Sequence, residues 1–246
     1  MNDDFNVVLS PLEEERFGWR TARAKGLTSK DIPLVLNFCR NNKIQFLIAR
    51  CSINDIQAAQ AMEHEGFFLT DTLVYYTRDL TRQPIPEENG VAHVRPILAG
   101  EEEETMTVVM ESFHGYFGHY HADQMLDRNK CDETYADWAR KSCEARTSDQ
   151  DFFVAKLDDR VVGFGMARIN NPDEGEWVLG GVHPDFQGRG VYQSMLRRIM
   201  EWCLSKGAKR FIISTQLNNI AVQKVWARFG LEINRGYYTF HRWFNV

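Results

Sequence analysis

The stretch Val182-His183-Pro184-Asp185-Phe186-Gln187-Gly188-Arg189-Gly190-Val191-Tyr192 constrains this chain more than any other. It joins an apolar, strand-like run at 177–182 to a segment at 192–204 whose Met195, Leu196, Ile199, Met200 and Cys203 fall on one helical face. Where a strand turns straight into a helix, the first-turn amides have no intrahelical partner and the helix dipole adds partial positive charge. Gly188 and Gly190 allow dihedrals closed to other residues and let an anion approach the backbone. Gln187, Gly188, Arg189, Gly190, Val191 and Tyr192 are therefore read as a pyrophosphate cradle that needs no lysine. An ordinary glycine-rich turn is the other reading of the same residues.

Downstream, an apolar run at 211–215 leads to Asn218-Asn219, then to a helical stretch that ends at Phe229-Gly230, and an aromatic strand-like run fills 237–244. The pattern V-x-P-x-x-Q-G-x-G, a strand, then N-x-A, an aromatic residue and F-G-L resembles the acyl-CoA-binding core of the GNAT superfamily of N-acetyltransferases. The resemblance covers 91–246. It implies an α/β fold with a twisted, mostly antiparallel sheet flanked by helices, and acetyl-CoA as cosubstrate.

Residues 81–90, with two prolines, a glycine and polar groups, read as a linker between a truncated unit at 1–80 and a complete one at 91–246. Before the linker, Phe46, Asn54, a helical segment at 55–65, Gly66 and a strand-like run at 72–79 repeat the order seen after Phe211. This copy has no glycine cradle, so its expected role is structural. In the second unit, residues 91–96 read as a strand, 101–113 as an amphipathic helix, 132–145 as a helix capped by Asp132 or Thr134, and 152–157 with 161–169 as a hairpin across Asp158-Asp159-Arg160. A truncated unit followed by a complete one resembles the TDP-fucosamine acetyltransferase group, which acetylates the amine of a nucleotide-linked sugar. Phe17-Gly18-Trp19 and Tyr135-Ala136-Asp137-Trp138 share that likeness.

A net charge of -5 argues against a nucleic-acid groove, which demands clustered positive charge. No run approaches a membrane span and the first twenty residues lack a signal-peptide core, so a cytosolic protein is expected. Five cysteines without C-x-x-C are read as reduced packing residues. The basic residues Arg197-Arg198 and 206–210 are either a solvated helix end or a clamp on the 3'-phosphate of CoA.

By resemblance, the oxyanion donor is an amide near Val182, Asn219 binds the pantetheine arm, and Glu176 takes the amine proton; a surface glutamate is the alternative for Glu176. Gly180-Gly181 serve either close acyl approach or tight packing. Tyr192 stands where the family usually has glycine or alanine, so its ring must avoid the phosphates or line the pantetheine channel. Trp226 stands where the family places the tyrosine that protonates the leaving thiolate, and an indole supplies no proton. Tyr237 or Tyr238, water, or a loss of catalysis are the explanations left open. The acceptor pocket is expected around Tyr116, His119, Tyr120, His121 and Asp123, through ring stacking, hydrogen bonds and proton transfer, with a structural loop as the alternative and no metal expected.

The reaction expected is acetyl transfer by direct amine attack in a ternary complex, with a nucleotide-linked amino sugar as acceptor; another small amine, a longer acyl group, or a noncatalytic acyl-CoA-binding module remain alternatives. The aromatic C-terminal run suggests a homodimer through edge pairing.

Overall fold

The computed structural model describes residues 5–87 and 90–244; Glu88 and Asn89 of the expected linker lie outside the described residues. The elements run β1 (Asn6–Leu9), α1 (Pro11–Phe17), β2 (Thr21–Lys25), α2 (Ile32–Asn41), β3 (Phe46–Ser52), α3 (Ile56–His64) and β4 (Phe68–Asp79). After the Pro-containing connection come β5 (His93–Pro96), α4 (Glu102–Phe113), α5 (Arg128–Glu144), β6 (Gln150–Leu157), β7 (Arg160–Asn171), β8 (Glu174–Val182), α6 (Val191–Ser205), β9 (Arg210–Gln216), α7 (Ile220–Arg228) and β10 (Glu232–Trp243). All ten strands join one sheet in the order β1-β2-β3-β10-β4-β9-β8-β7-β6-β5. It is antiparallel except at β2–β3 and β8–β9.

The units β3-α3-β4 and β9-α7-β10 have the same element order, and they exchange their last strands. β4 pairs along β9 from Leu73↔Gln216 to Asp79↔Arg210, while β10 pairs along β3 from Tyr237↔Ser52 to Trp243↔Phe46. β4 and β10 then lie against each other at the centre. The C-terminal strand is thus paired on both sides, so the edge pairing that suggested a homodimer does not exist at β10. The sheet ends instead at β1 and β5. Among the described residues no helix is long and apolar enough to cross a membrane.

Alternation along the central strands sorts their side chains between two faces. In β3, Leu47, Ala49 and Cys51 pack with α2 and α3, whereas Phe46 and Ile48 pack with Phe17, Tyr120 and Leu126. In β4, Val74 and Tyr76 join the core under α6 and α7, leaving Asp71, Leu73 and Tyr75 to line a cavity on the other face. The apolar stripe of α6 is fully used: Met195, Leu196, Ile199, Met200 and Cys203 are each 0% exposed.

The expected hairpin closes with Asp158 and Asp159 at φ 48° and 62°, the left-handed pair that a two-residue turn requires. The cap of α5 is corrected. The helix starts earlier than expected, because the Asp127 carboxylate accepts from the amides of Asn129 (2.9 Å) and Lys130 (3.2 Å). Asp132 and Thr134 lie inside the helix, Asp132 bonded to His121 and the Thr134 hydroxyl donating to the Lys130 carbonyl.

Candidate active site

β8 and β9 pair only from Glu174↔Arg210 to Trp177↔Ile213, and then part. The cause is a bulge: the β7 partners step from Ala167↔Trp177 to Met166↔Leu179, which leaves Val178 as the extra residue and turns β8 outward. The Trp177 indole folds back to donate to the Leu179 carbonyl at 2.7 Å, and Gly180 makes room for it, since a Cβ there would collide with the indole. A slot of about 80 Å³ opens, walled by Trp177, Gly180, Tyr192, Thr215, Asn219 and Trp226. The opening starts at Val178, four residues before Val182, where the oxyanion donor was expected. Val182 is buried opposite Gly163, and its carbonyl accepts from Gln187 Nε2 at 3.1 Å, closing the β8–α6 turn.

At that turn Gly188 and Gly190 take φ 73° and 95°, and Gly190 sits at the N-cap of α6 with no side chain covering the first-turn amides. Val191 is buried and presents only backbone, and the Arg189 guanidinium lies 5.2 Å from the Phe186 ring centre. The Tyr192 ring turns inward and stacks on Trp177 at 4.8 Å. Trp226 Nε1 donates to the Tyr192 hydroxyl at 3.0 Å. An indole N–H can only donate, so the tyrosine oxygen is the acceptor and its own proton points elsewhere. Burial holds the Tyr192 phenol above its ordinary pKa, so it stays protonated. Of the basic residues considered as a phosphate clamp, Arg197 and Arg198 pair with Glu201, Lys209 with Asp173 and Arg210 with Glu174, while Lys206 lies over the Trp202 ring.

Beyond Gly180 the slot meets a cavity of about 530 Å³ that also runs beside Thr215 and Asn219. One wall is the exchanged strand β4 with Asp71, Leu73 and Tyr75; the other is built by Phe113, Tyr116, Tyr135 and Trp138. Burial raises the Asp71 carboxyl, against the lowering effects of the Thr72 amide, Arg50 and Gln216. At the far end, Glu13 accepts from Arg23, Ser10 and the Tyr120 hydroxyl (2.9 Å). Burial alone would raise Glu13, but these partners overbalance it and hold it low.

The same end contains a buried relay. Trp243 Nε1 and His241 Nδ1 both reach Asp123, the histidine at 2.7 Å, and His241 Nε2 meets His119 Nδ1 at 2.9 Å. With Asp123 ionised, His241 donates to it from Nδ1 and accepts at Nε2, so His119 donates from Nδ1. His119 Nε2 is left as a lone-pair acceptor with no partner among the described residues, on a ring that lines the cavity. Burial, then the charges of His241, Arg50, Arg23 and His121, push His119 well below an ordinary histidine, which keeps it neutral.

The model of the GNAT acetyltransferase family matches residues 108–231, just over half of the chain. The chain belongs to the GNAT family. A curated relative, the spore coat polysaccharide biosynthesis protein SpsD of Bacillus subtilis, is 22% identical over 207 residues, covering 82% of this chain and 68% of the relative. A GCN5-related N-acetyltransferase from Sphaerobacter thermophilus superposes with a TM-score of 0.66 at 15% identity, over 96% of this chain and 76% of its own. A tandem GNAT protein from the clavulanic acid biosynthesis pathway does so with 0.63 at 15% identity, over 92% and 76%. The GNAT protein is thereby an acetyl-CoA-dependent N-acetyltransferase of mixed α/β fold. No group of three or more metal-ligating side chains occurs among the described residues.

Of the residues singled out in this GNAT sequence, the structure gathers Tyr192, Asn219 and Trp226 on the slot, and Tyr116, His119, Tyr120 and Glu176 on the cavity. Asn219 is at the N-cap position of α7 but does not cap; its Nδ2 donates to Thr215 Oγ1 at 3.1 Å. Glu176 Oε2 is held by Arg168 (2.8 Å) and Asn170 (3.0 Å). His121 and Asp123 do not line the cavity: His121 bonds the Gly118 amide and Asp132, and Asp123 anchors the relay. Tyr237 lies on an adjoining hollow. Tyr238 faces the opposite side of the sheet, packed against the core of α2 and α3, and reaches neither slot nor cavity. Sequence reasoning missed Asp71, Arg50, Glu13 and His241. The alternation of β4 places Asp71 with Leu73 and Tyr75, but nothing local shows that this strand would lie beside β9.

Proposed function

We propose that the protein transfers acetyl from acetyl-CoA directly to the primary amine of a nucleotide-linked amino sugar. The carrying observation is that the slot between β8 and β9 opens at Val178–Gly180 into a single cavity walled by both units. Its volume of about 530 Å³ suits a small molecule. A relative named for polysaccharide biosynthesis supports a sugar-derived acceptor.

The amides at the start of α6 hold the pyrophosphate, and Asn219 and Thr215 flank the pantetheine arm. The acceptor nitrogen attacks the acetyl carbon at the mouth of the slot, where amides released by the bulge at Val178 face the developing oxyanion. The N–C bond forms, the C–S bond breaks, and one amine proton leaves to a base. We assign the base to Asp71 rather than Glu176. The raised carboxyl of Asp71 makes it the better proton acceptor near neutral pH, whereas Glu176 Oε2 is already committed to Arg168 and Asn170.

Tyr192 takes the place of the tyrosine missing at position 226. With its oxygen held by Trp226, its proton is available to the sulfur in the slot as negative charge builds there. The raised pKa makes it a fixed hydrogen-bond donor, and the departing thiolate, with a reference pKa of about 8.5, is then protonated from water. Trp226 and Tyr192, which motivated the noncatalytic alternative, form one pair.

Thiol release from acetyl-CoA, followed across TDP- and UDP-linked amino sugars, polyamines and amino acids, tests the reading. Turnover on a nucleotide-linked amino sugar is expected. Turnover confined to polyamines or amino acids, or none at all, contradicts it.

A further inference from the structure

We infer that the hollow adjoining the cavity at Lys25, Arg50 and Arg235 is a second anion site, which takes the diphosphate of the acceptor. This rests on the proposed function and names how that site selects its substrate. The hollow, about 240 Å³, shares Arg50, Tyr75, Arg168 and Glu176 with the walls of the main cavity, so a ligand can lie across both.

Charge is the first argument. In a chain of net charge -5, four cationic side chains line one hollow against the single carboxylate of Glu176. Glu176 is already paired with Arg168 at 2.8 Å. Lys25, Arg50 and Arg235 form no ion pair among the described residues. Arg50 uses Nε on Thr239 Oγ1 at 3.2 Å and feels the Asp71 charge, which leaves its outer guanidinium nitrogens for another partner. Arg235 packs 4.7 Å from the centre of the Tyr75 ring, and its buried Nε has no acceptor among the described residues. Arg235 also lines the hollow, where the outer nitrogens of its guanidinium, with no carboxylate partner among the described residues, can meet an anion. Guanidinium groups match the paired oxygens of phosphate, and several together suit two phosphates better than one carboxylate.

Spacing is the second argument. Val178 on β8, at the mouth of the slot, and Arg235 on β10 are separated by β9 and β4, three strand spacings or at least about 14 Å. A sugar ring, its diphosphate and an extended arginine side chain fill that distance end to end. The cradle for the pyrophosphate of CoA lies elsewhere: Val182, the last residue of β8 before the turn that carries it, is six residues along the strand from Glu176, roughly 20 Å away. The two anion sites therefore serve different substrates.

The test uses the full chain saturated with CoA, so that the cradle is occupied. Calorimetric titration with UDP, TDP and inorganic pyrophosphate should show binding, and uridine should show none. Arg235→Gln and the exposed Lys25→Gln should each weaken diphosphate binding about tenfold, with acetyl-CoA affinity retained as evidence of folding. No diphosphate binding, equal affinity for UMP and UDP, or unchanged affinity in both variants overturns the assignment. In turnover, both variants should raise KM for a diphosphate-linked amino sugar far more than for the free amino sugar; an equal rise also overturns it. Failure of the acceptor reading is separately visible. If no amino sugar is acetylated while UDP binding keeps its sensitivity to Arg235 and Lys25, the anion site stands and the acceptor reading falls.

Discussion

At the scale of single residues, the chemistry turns on Tyr192 and Asp71. The loss of the family's tyrosine at Trp226 is visible in the sequence, as is an unexpected ring at Tyr192, but their contact joins two helices and no local pattern announces it. Tyr192→Phe should lower kcat by about 10–100-fold. It should leave KM for acetyl-CoA within about threefold, and adding Trp226→Tyr should restore part of the rate. Steady-state kinetics showing an unchanged kcat in Tyr192→Phe would remove Tyr192 from the mechanism. Asp71 must be ionised to accept a proton, so activity should fall as pH drops through its raised pKa. Asp71→Asn should cost at least about 100-fold in kcat and abolish that acid limb, whereas Glu176→Gln should keep it. A limb that survives Asp71→Asn would return the role to Glu176. The relay makes a separate prediction about stability. His119 and His241 are both held below the ordinary histidine pKa, chiefly by burial, so above about pH 6.5 neither folded nor unfolded chain binds these protons. As pH falls below that value the unfolded chain binds more protons than the folded one, and stability declines by up to about 1.4 kcal/mol per pH unit per histidine. Thermal melts at pH 7.5 and 5.5 should show this loss, and it should be smaller in His119→Gln.

At the scale of elements, the strands and helices from Phe46 to His64 and from Glu174 to Arg228 were legible because apolar period, glycine stops and turn residues agree there. The cap of α5 was not, because Asp127, Asp132 and Thr134 are all competent capping residues and only tertiary contacts decide between them. The bulge at Val178 was missed for a similar reason: it depends on Trp177 folding back over Gly180, which strand alternation does not encode. The glycine turn can be tested as a unit. Gly190 has φ 95°, and a Cβ there would stand 3.0 Å from Val91 Cγ2. Gly190→Ala should cost about 1–2 kcal/mol in stability through the left-handed backbone and weaken CoA binding at least about tenfold. Calorimetry with CoA checks this, and near-native affinity would mean that the turn is not the cradle.

At the scale of the whole molecule, the reciprocal exchange of β4 and β10 was hidden because strand partners are set by long-range packing, not by the strands' own residues. It gives the repeat a role beyond covering the sheet. β4 brings Asp71 and Tyr75 to the cavity, and β10 brings Arg235, Tyr237 and His241 to the N-terminal unit. Residues 91–246 alone would lack the strand between β9 and β10. That fragment should fail to fold by circular dichroism, and co-expression with 1–87 should rescue it. A soluble, cooperatively melting fragment would show that the exchange is dispensable.

Direct transfer from slot to cavity gives the acetyl group no covalent stop on the protein, and the fate of a labelled acetyl group reveals whether it makes one. All five cysteines are buried and burial lifts their thiols, with Cys39, Cys51 and Cys203 pushed up to about 12, so none is suited to carry the acetyl group. Enzyme mixed with labelled acetyl-CoA alone should retain no covalent label, and adding the nucleotide-linked amine should move label to the amine and release CoA in equal amounts. Label bound covalently to the protein before the amine is added would contradict direct attack.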